Sequence, residues 1–134
     1  MGHTRMDPAP ITIVLADDHA VLRNGLRLLL DAEDDMSVLG EAGDIQGAFR
    51  QVRAHRPTAL VLDLNMPGGS SIQAIPRFLR LSPEMAIVML TMEDDPALVR
   101  GALDAGARSY VQKASASAEL VRAIRTAVNG QAAS

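Results

Sequence analysis

Short, nearly uninterrupted apolar runs alternate with amphipathic segments along this chain, and no other feature narrows its fold as much. Ile11–Ala16 is rich in β-branched side chains, and it, Ala59–Leu62 and Ala86–Thr91 show almost no polar alternation. Such runs are strands buried on both faces, the condition of a parallel sheet. A further strand is expected around Ser37–Glu41 and a short fifth one over Ser109–Gln112. Between them, apolar residues recur at helical spacing. Val21, Leu22, Gly25, Leu26, Leu29 and Leu30 place a helix over 20–31. Ile45, Ala48, Phe49 and Val52 place a second, capped by Asp44 and running to about Ala54. Met66-Pro-Gly-Gly-Ser70 is a turn, and the helix after it either begins near Ile75 or kinks there, because Pro76 is costly in a helix interior. Asp95-Pro96 opens a helix that Gly106 stops. Ser117 caps a last helix carrying Leu120, Val121, Ile124 and Val128. Five βα units predict an α/β fold, a doubly wound five-stranded parallel sheet with helices on both faces.

A chain of 134 residues has room for one such domain. It contains no cysteine, which excludes disulfides, Cys-type zinc sites, iron–sulfur clusters and thiol nucleophiles. No apolar run approaches the ~20 residues of a membrane helix, and Ile11–Ala16 is too short for a secretory signal. The net charge of −3 argues against a general affinity for nucleic acid. The expectation is a soluble intracellular protein with a flexible arm at 1–10, one domain over 11–129 and the start of a linker at 130–134. Of its thirteen basic residues only Lys113 is a lysine. Arginine replaces lysine well on a solvated surface but poorly where a compact ammonium is required, so Lys113 is singled out.

Ligands of open α/β sheets gather outside the carboxyl ends of the strands. There the pattern places Asp17 and Asp18 after the first strand, Asp63 after the third, Thr91 after the fourth and Lys113 after the fifth. Clustered carboxylates repel one another unless a cation intervenes. Oxygen donors of this kind suit a hard ion such as Mg²⁺. An ion and a lysine can hold a phosphoryl group from two sides while a hydroxyl binds one of its oxygens. An aspartate so placed can form an acyl phosphate. Plainer roles stand beside these. Asp17 and Asp18 equally suit helix capping, Thr91 and Tyr110 suit a strand, and Lys113 suits a surface. His19 reads as a solvated loop side chain with no partner as a metal ligand, His3 and His55 being distant in the pattern. Asp63 resists a plain reading, since an unpaired buried carboxylate is costly.

Leu15-Ala-Asp-Asp-His-Ala20, Leu90-Thr-Met92 and Gly106-Ala-Arg-Ser-Tyr-Val-Gln-Lys113, in order on this framework, give a chain that resembles the receiver (CheY-like) domains of two-component response regulators. The NarL/LuxR type is the most similar, over residues 11–129. The resemblance implies a flavodoxin-like fold and a cytoplasmic signalling switch rather than an enzyme. It implies that Asp63 accepts a phosphoryl group from a sensor histidine kinase. Asp18, Asp63 and the backbone carbonyl of Asn65 would bind Mg²⁺, with Asp17 helping through water. Lys113 would pair with phosphoryl oxygens or a carboxylate, Thr91 would bond the phosphoryl group, and Tyr110 would change rotamer with it. Homodimerisation on phosphorylation follows for the family, with DNA bound only through an output domain outside this chain.

The sequence departs from the family at Met92, often a small residue, at Ser70-Ser71 with Pro76 beyond, and at Ala114, where many members have proline. Asn65 and Glu93 occupy positions that tune phosphoryl lifetime in the family. Three other readings compete. A stand-alone receiver would carry no output domain. A haloacid-dehalogenase-like phosphatase would carry Asp-x-Asp on its first strand, whereas these aspartates are adjacent. A dinucleotide-binding module would need Gly-x-Gly-x-x-Gly after that strand, which is absent.

Overall fold

The structure, a computed structural model, describes residues 10–92 and 95–130. Residues 1–9 of the arm expected over 1–10, Glu93, and residues 131–134 of the linker expected over 130–134 lie outside the described residues. The strands are β1 (Ile11–Ala16), β2 (Met36–Ala42), β3 (Ala59–Asp63), β4 (Ala86–Thr91) and β5 (Ser109–Gln112). Alternating with them are α1 (Ala20–Asp31), α2 (Ile45–His55), α3 (Ser71–Leu81), α4 (Pro96–Ala105) and α5 (Ala116–Val128). All strand pairs are parallel, in the order β2-β1-β3-β4-β5. This is the doubly wound flavodoxin-like arrangement, and the order reverses between β1 and β3. A crevice for ligands opens at such a reversal.

Alternate residues of each strand feed two separate cores. Val14, Leu60, Leu62, Ile87 and Met89 pack against Phe49 and Val52 of α2 and Ile75 and Phe78 of α3. Ile13, Leu15, Val61, Val88 and Leu90 face the other way, against Leu26 and Leu30 of α1 and Leu120 and Ile124 of α5. Each fully buried side chain of this size contributes about 1.5–3 kcal/mol, so a polar residue on either face would be expensive. That is why the strands read as apolar throughout. The Phe49 and Phe78 rings stack with centroids 4.1 Å apart and lock α2 to α3.

Helix starts follow local chemistry at three places. Asp44 accepts from the Gly47 N–H at 2.6 Å, Ser70 from Gln73 at 3.2 Å and Asp95 from Ala97 at 3.0 Å. The Ser70 cap corrects the expectation of a start near Ile75, because α3 begins at Ser71 and holds Pro76 inside it. Burial of Ser71, Ala74, Ile75 and Phe78 on one face outweighs what an exposed proline costs. A second correction concerns α5. Ser117 is not its cap: the chain enters through a turn of 3₁₀ helix, Lys113–Ser115, and α5 starts at Ala116 with no side-chain cap. Burial of Lys113, Ala116 and Leu120 sets that entry. The Lys113–Ala114 peptide is trans.

Candidate functional site

β1 and β3 are neighbours with Ala16 opposite Leu62, so the next residues, Asp17 and Asp63, meet at the crevice. Both are fully buried. Asp17 Oδ1 accepts the His19 N–H at 2.7 Å, a local turn that carries the chain from β1 into α1. Its backbone carbonyl accepts from Arg23 Nη1 at 2.5 Å. Asp63 is held at three points. Its carbonyl accepts from Ser71 Oγ at 2.6 Å, its Oδ1 from the Asn65 N–H at 3.0 Å, and its Oδ2 from Lys113 Nζ at 2.7 Å.

Lys113 reaches this point from the end of β5, with its side chain only 6% exposed. Its ammonium also lies 3.4 Å from Asp17 Oδ1 and 2.9 Å from His19 Nδ1. Thr91 ends β4 beside the site, one residue beyond the Asp63–Leu90 pair, and is buried. Tyr110 is half-buried on β5, packed against the core that Leu60 and Met89 share. Met92 is exposed. Alongside, Asp18, Asn65, Met66, Pro67, Ser70 and Leu98 line a cleft of about 490 Å³.

Burial pushes the Asp63 carboxyl above the ordinary carboxylate range, and the Asp17 charge adds to this. The Lys113 ammonium and the Asn65 N–H offset only part of that rise. Asp17 Oδ2 is buried without a hydrogen-bond partner among the described residues. Orphaned buried carboxylate oxygens are expensive, and a cation is the natural partner for one. Ligand atoms of Asp17, Asp18, His19 and Asp63 all lie within 4.8 Å of one another. This donor set, mostly hard oxygen, fits Mg²⁺.

Asp17, Asp18, Asp63 and Lys113 are thus gathered as the strand ends imply, with Thr91 at the same rim. Two participants escaped the sequence reading. His19 is solvated as expected, yet its Nδ1 stands 3.3 Å from both Asp17 Oδ1 and Asp18 Oδ1. The signal was its place directly after two strand-end aspartates, whose carboxylates, rather than other histidines, are its neighbours. Ser71 was missed because it bonds a backbone carbonyl, which no side-chain pattern reveals.

Fold and pocket together define a CheY-like α/β module. Residues 13–125 match the family model described as the response regulator receiver domain. The oxygen regulatory protein NreC of Staphylococcus epidermidis is 41% identical over 120 residues, which cover 89% of this chain and 55% of that protein. A LuxR-family two-component response regulator from Aurantimonas superposes with a TM-score of 0.86 at 35% identity, covering 92% of this chain and 89% of that one. The receiver domain of NarL from Mycobacterium tuberculosis gives a TM-score of 0.85 at 30% identity, covering 92% and 100%. The chain belongs to the response regulator receiver domain family, and within it to the NarL/LuxR type. It spans about half the length of the curated relatives it matches. The dehalogenase-like and dinucleotide-binding readings are set aside accordingly.

Proposed function

We propose that this receiver takes a phosphoryl group from a sensor histidine kinase onto Asp63 and relays the change to an output. The observation that carries the reading is the Asp63 carboxylate itself. It is buried at the end of a strand, fixed by Ser71 and Asn65, and paired with the chain's only lysine at 2.7 Å. A carboxylate oxygen attacks phosphorus, the P–N bond to the donor's imidazole breaks, and the released imidazole keeps that electron pair. Lys113 moves from the carboxylate to the phosphoryl oxygens. Asp18, Asp63 and the Asn65 backbone carbonyl would hold Mg²⁺, with Asp17 acting through water. When bound, the ion supplies neutralising charge for the carboxylates and the transferring oxygens.

Thr91 bonds the phosphoryl group, and Tyr110 follows it inward. The acyl phosphate then favours one arrangement of α4, β5 and α5, as any ligand favours the state it binds better. The protein acts as a switch whose only turnover is loss of its own phosphoryl group. The output it serves is a DNA-binding helix-turn-helix domain, this receiver spanning about half the length of the curated relatives it matches. The phosphorylated form dimerises and works in the cytoplasm on transcription. Among the described residues, no helix is long and apolar enough to cross a membrane.

The test supplies Mg²⁺ and a small acyl phosphate, whose acyl O–P bond breaks in place of the P–N bond. Intact mass should show a single phosphoryl adduct that is lost in Asp63→Asn. An adduct retained by Asp63→Asn would move the acceptor elsewhere.

A further inference from the structure

Within that acidic pocket the side chain of His19 faces the carboxylates. We propose that His19 is a metal ligand of the site and biases it from Mg²⁺ towards divalent ions that favour imidazole nitrogen, such as Co²⁺, Ni²⁺ and Zn²⁺. The inference rests on the reading of the pocket as a cation site, and it adds a residue and a chemical preference to it.

Three observations converge. First, Nδ1 is 3.3 Å from Asp17 Oδ1 and 3.3 Å from Asp18 Oδ1, inside a four-residue cluster of donors within 4.8 Å of one another. Second, Asp17 is fully buried, and among the described residues its Oδ2 finds no hydrogen-bond partner, so the cluster holds an acceptor that they do not satisfy. Third, the orientation of the imidazole is fixed by a cation. Lys113 Nζ lies 2.9 Å from Nδ1, and an ammonium can only donate. Nδ1 is therefore the acceptor, the ring proton sits on Nε2, and the Nδ1 lone pair is aimed into the pocket. A metal ion would take up the same lone pair, leaving Lys113 with Asp63, to which it is already closer at 2.7 Å.

The consequence is selectivity. Mg²⁺ prefers oxygen and keeps its waters, so one imidazole adds little to its binding. Later first-row divalent ions gain from nitrogen, in the order Mn²⁺ < Co²⁺ < Ni²⁺ < Cu²⁺ > Zn²⁺. His19 occupies the N-cap position of α1 without a side-chain capping bond and is more than half exposed, so replacing it leaves the fold intact.

Calorimetric titration of the whole chain with Mg²⁺ alone and with Co²⁺ alone, read beside the Co²⁺ visible spectrum, tests this. His19→Ala should weaken Co²⁺ binding by ~10-fold or more and shift its absorption bands, the scale on which groups around a metal alter affinity. The Mg²⁺ affinity should change by less than about 2-fold. Asp17→Asn should weaken both ions. If His19→Ala leaves Co²⁺ untouched, or weakens both ions equally, His19 is not a selective ligand, while the acidic site stands. If the unaltered protein binds neither ion, the cation site and this inference fall together.

Discussion

Two charged groups almost wholly shielded from bulk water hold each other in place at this site, and the balance between them is uneven. Lys113 has three acceptors, in Asp63, Asp17 and His19. Asp63 has one ammonium and one backbone N–H to offset complete burial and the charge of Asp17. Its folded pKa therefore stands above the unfolded value of 3.8. Between those two values the native chain binds more protons than the unfolded one, so stability falls as pH rises through the folded pKa and is whole again below the unfolded one. Asp63→Asn keeps the shape, removes that titration and leaves Lys113 with Asp17 and His19. The variant is expected to be more stable than the parent at pH 7, and its advantage should shrink steadily as the pH is lowered towards 4. Urea unfolding across that range reads the gap directly. A gap that stays flat or widens on acidification would contradict the assignment of a raised pKa.

At the scale of elements, α3 shows a local rule giving way to burial. Pro76 has no N–H to offer the carbonyl of Ile72, yet the helix runs unbroken from Ser71 to Leu81. Its exposed position lets the ring clear the core while Ile75 and Phe78 stay buried. Pro76→Ala should stabilise the protein by about 2 kcal/mol, the ~3 kcal/mol interior cost of proline less the ~0.4–1 kcal/mol it saves by restricting the unfolded chain. Thermal unfolding is the measurement, and no gain would mean that the ring packs favourably where it sits. The same helix marks how far sequence could be read. β1, β3 and β4 were legible because burial on both faces strips polar residues from them, and α2 and α4 because Asp44 and Asp95 cap them. Propensity misled at Pro76 and at Ser117, where tertiary burial overrode it. At the site, the carboxylates and Lys113 were visible because strand ends are fixed by topology. His19 and Ser71 were not, since their roles depend on rotamers and on a backbone carbonyl.

Across the whole molecule, stability is unevenly spread in a way that bears on switching. α2 buries Ile45, Gly47, Ala48, Phe49 and Val52, whereas α4 buries Ala102 alone. α5 is anchored at its far end, where Arg125 pairs with Glu33 at 2.7 Å and with Asp35 at 2.8 Å, and the guanidinium holds the Asp35 carboxyl below its usual range. None of the ion pairs found among the described residues involves α4. Local opening is governed by how much apolar surface an element buries, so α4 is the helix whose position can change at the smallest cost. It is also the helix that follows β4 and Thr91, the group proposed to bond the phosphoryl oxygens. A strained signal at Thr91 would therefore meet its weakest resistance next door, which is what a population-shifting switch requires. Hydrogen exchange followed by mass should show the amides of α4 exchanging well ahead of those of α2 in the unphosphorylated protein, with β3 and β4 the slowest. Protection of α4 equal to that of α2 would show that the fold resists movement there, and the output would have to leave the domain by another face.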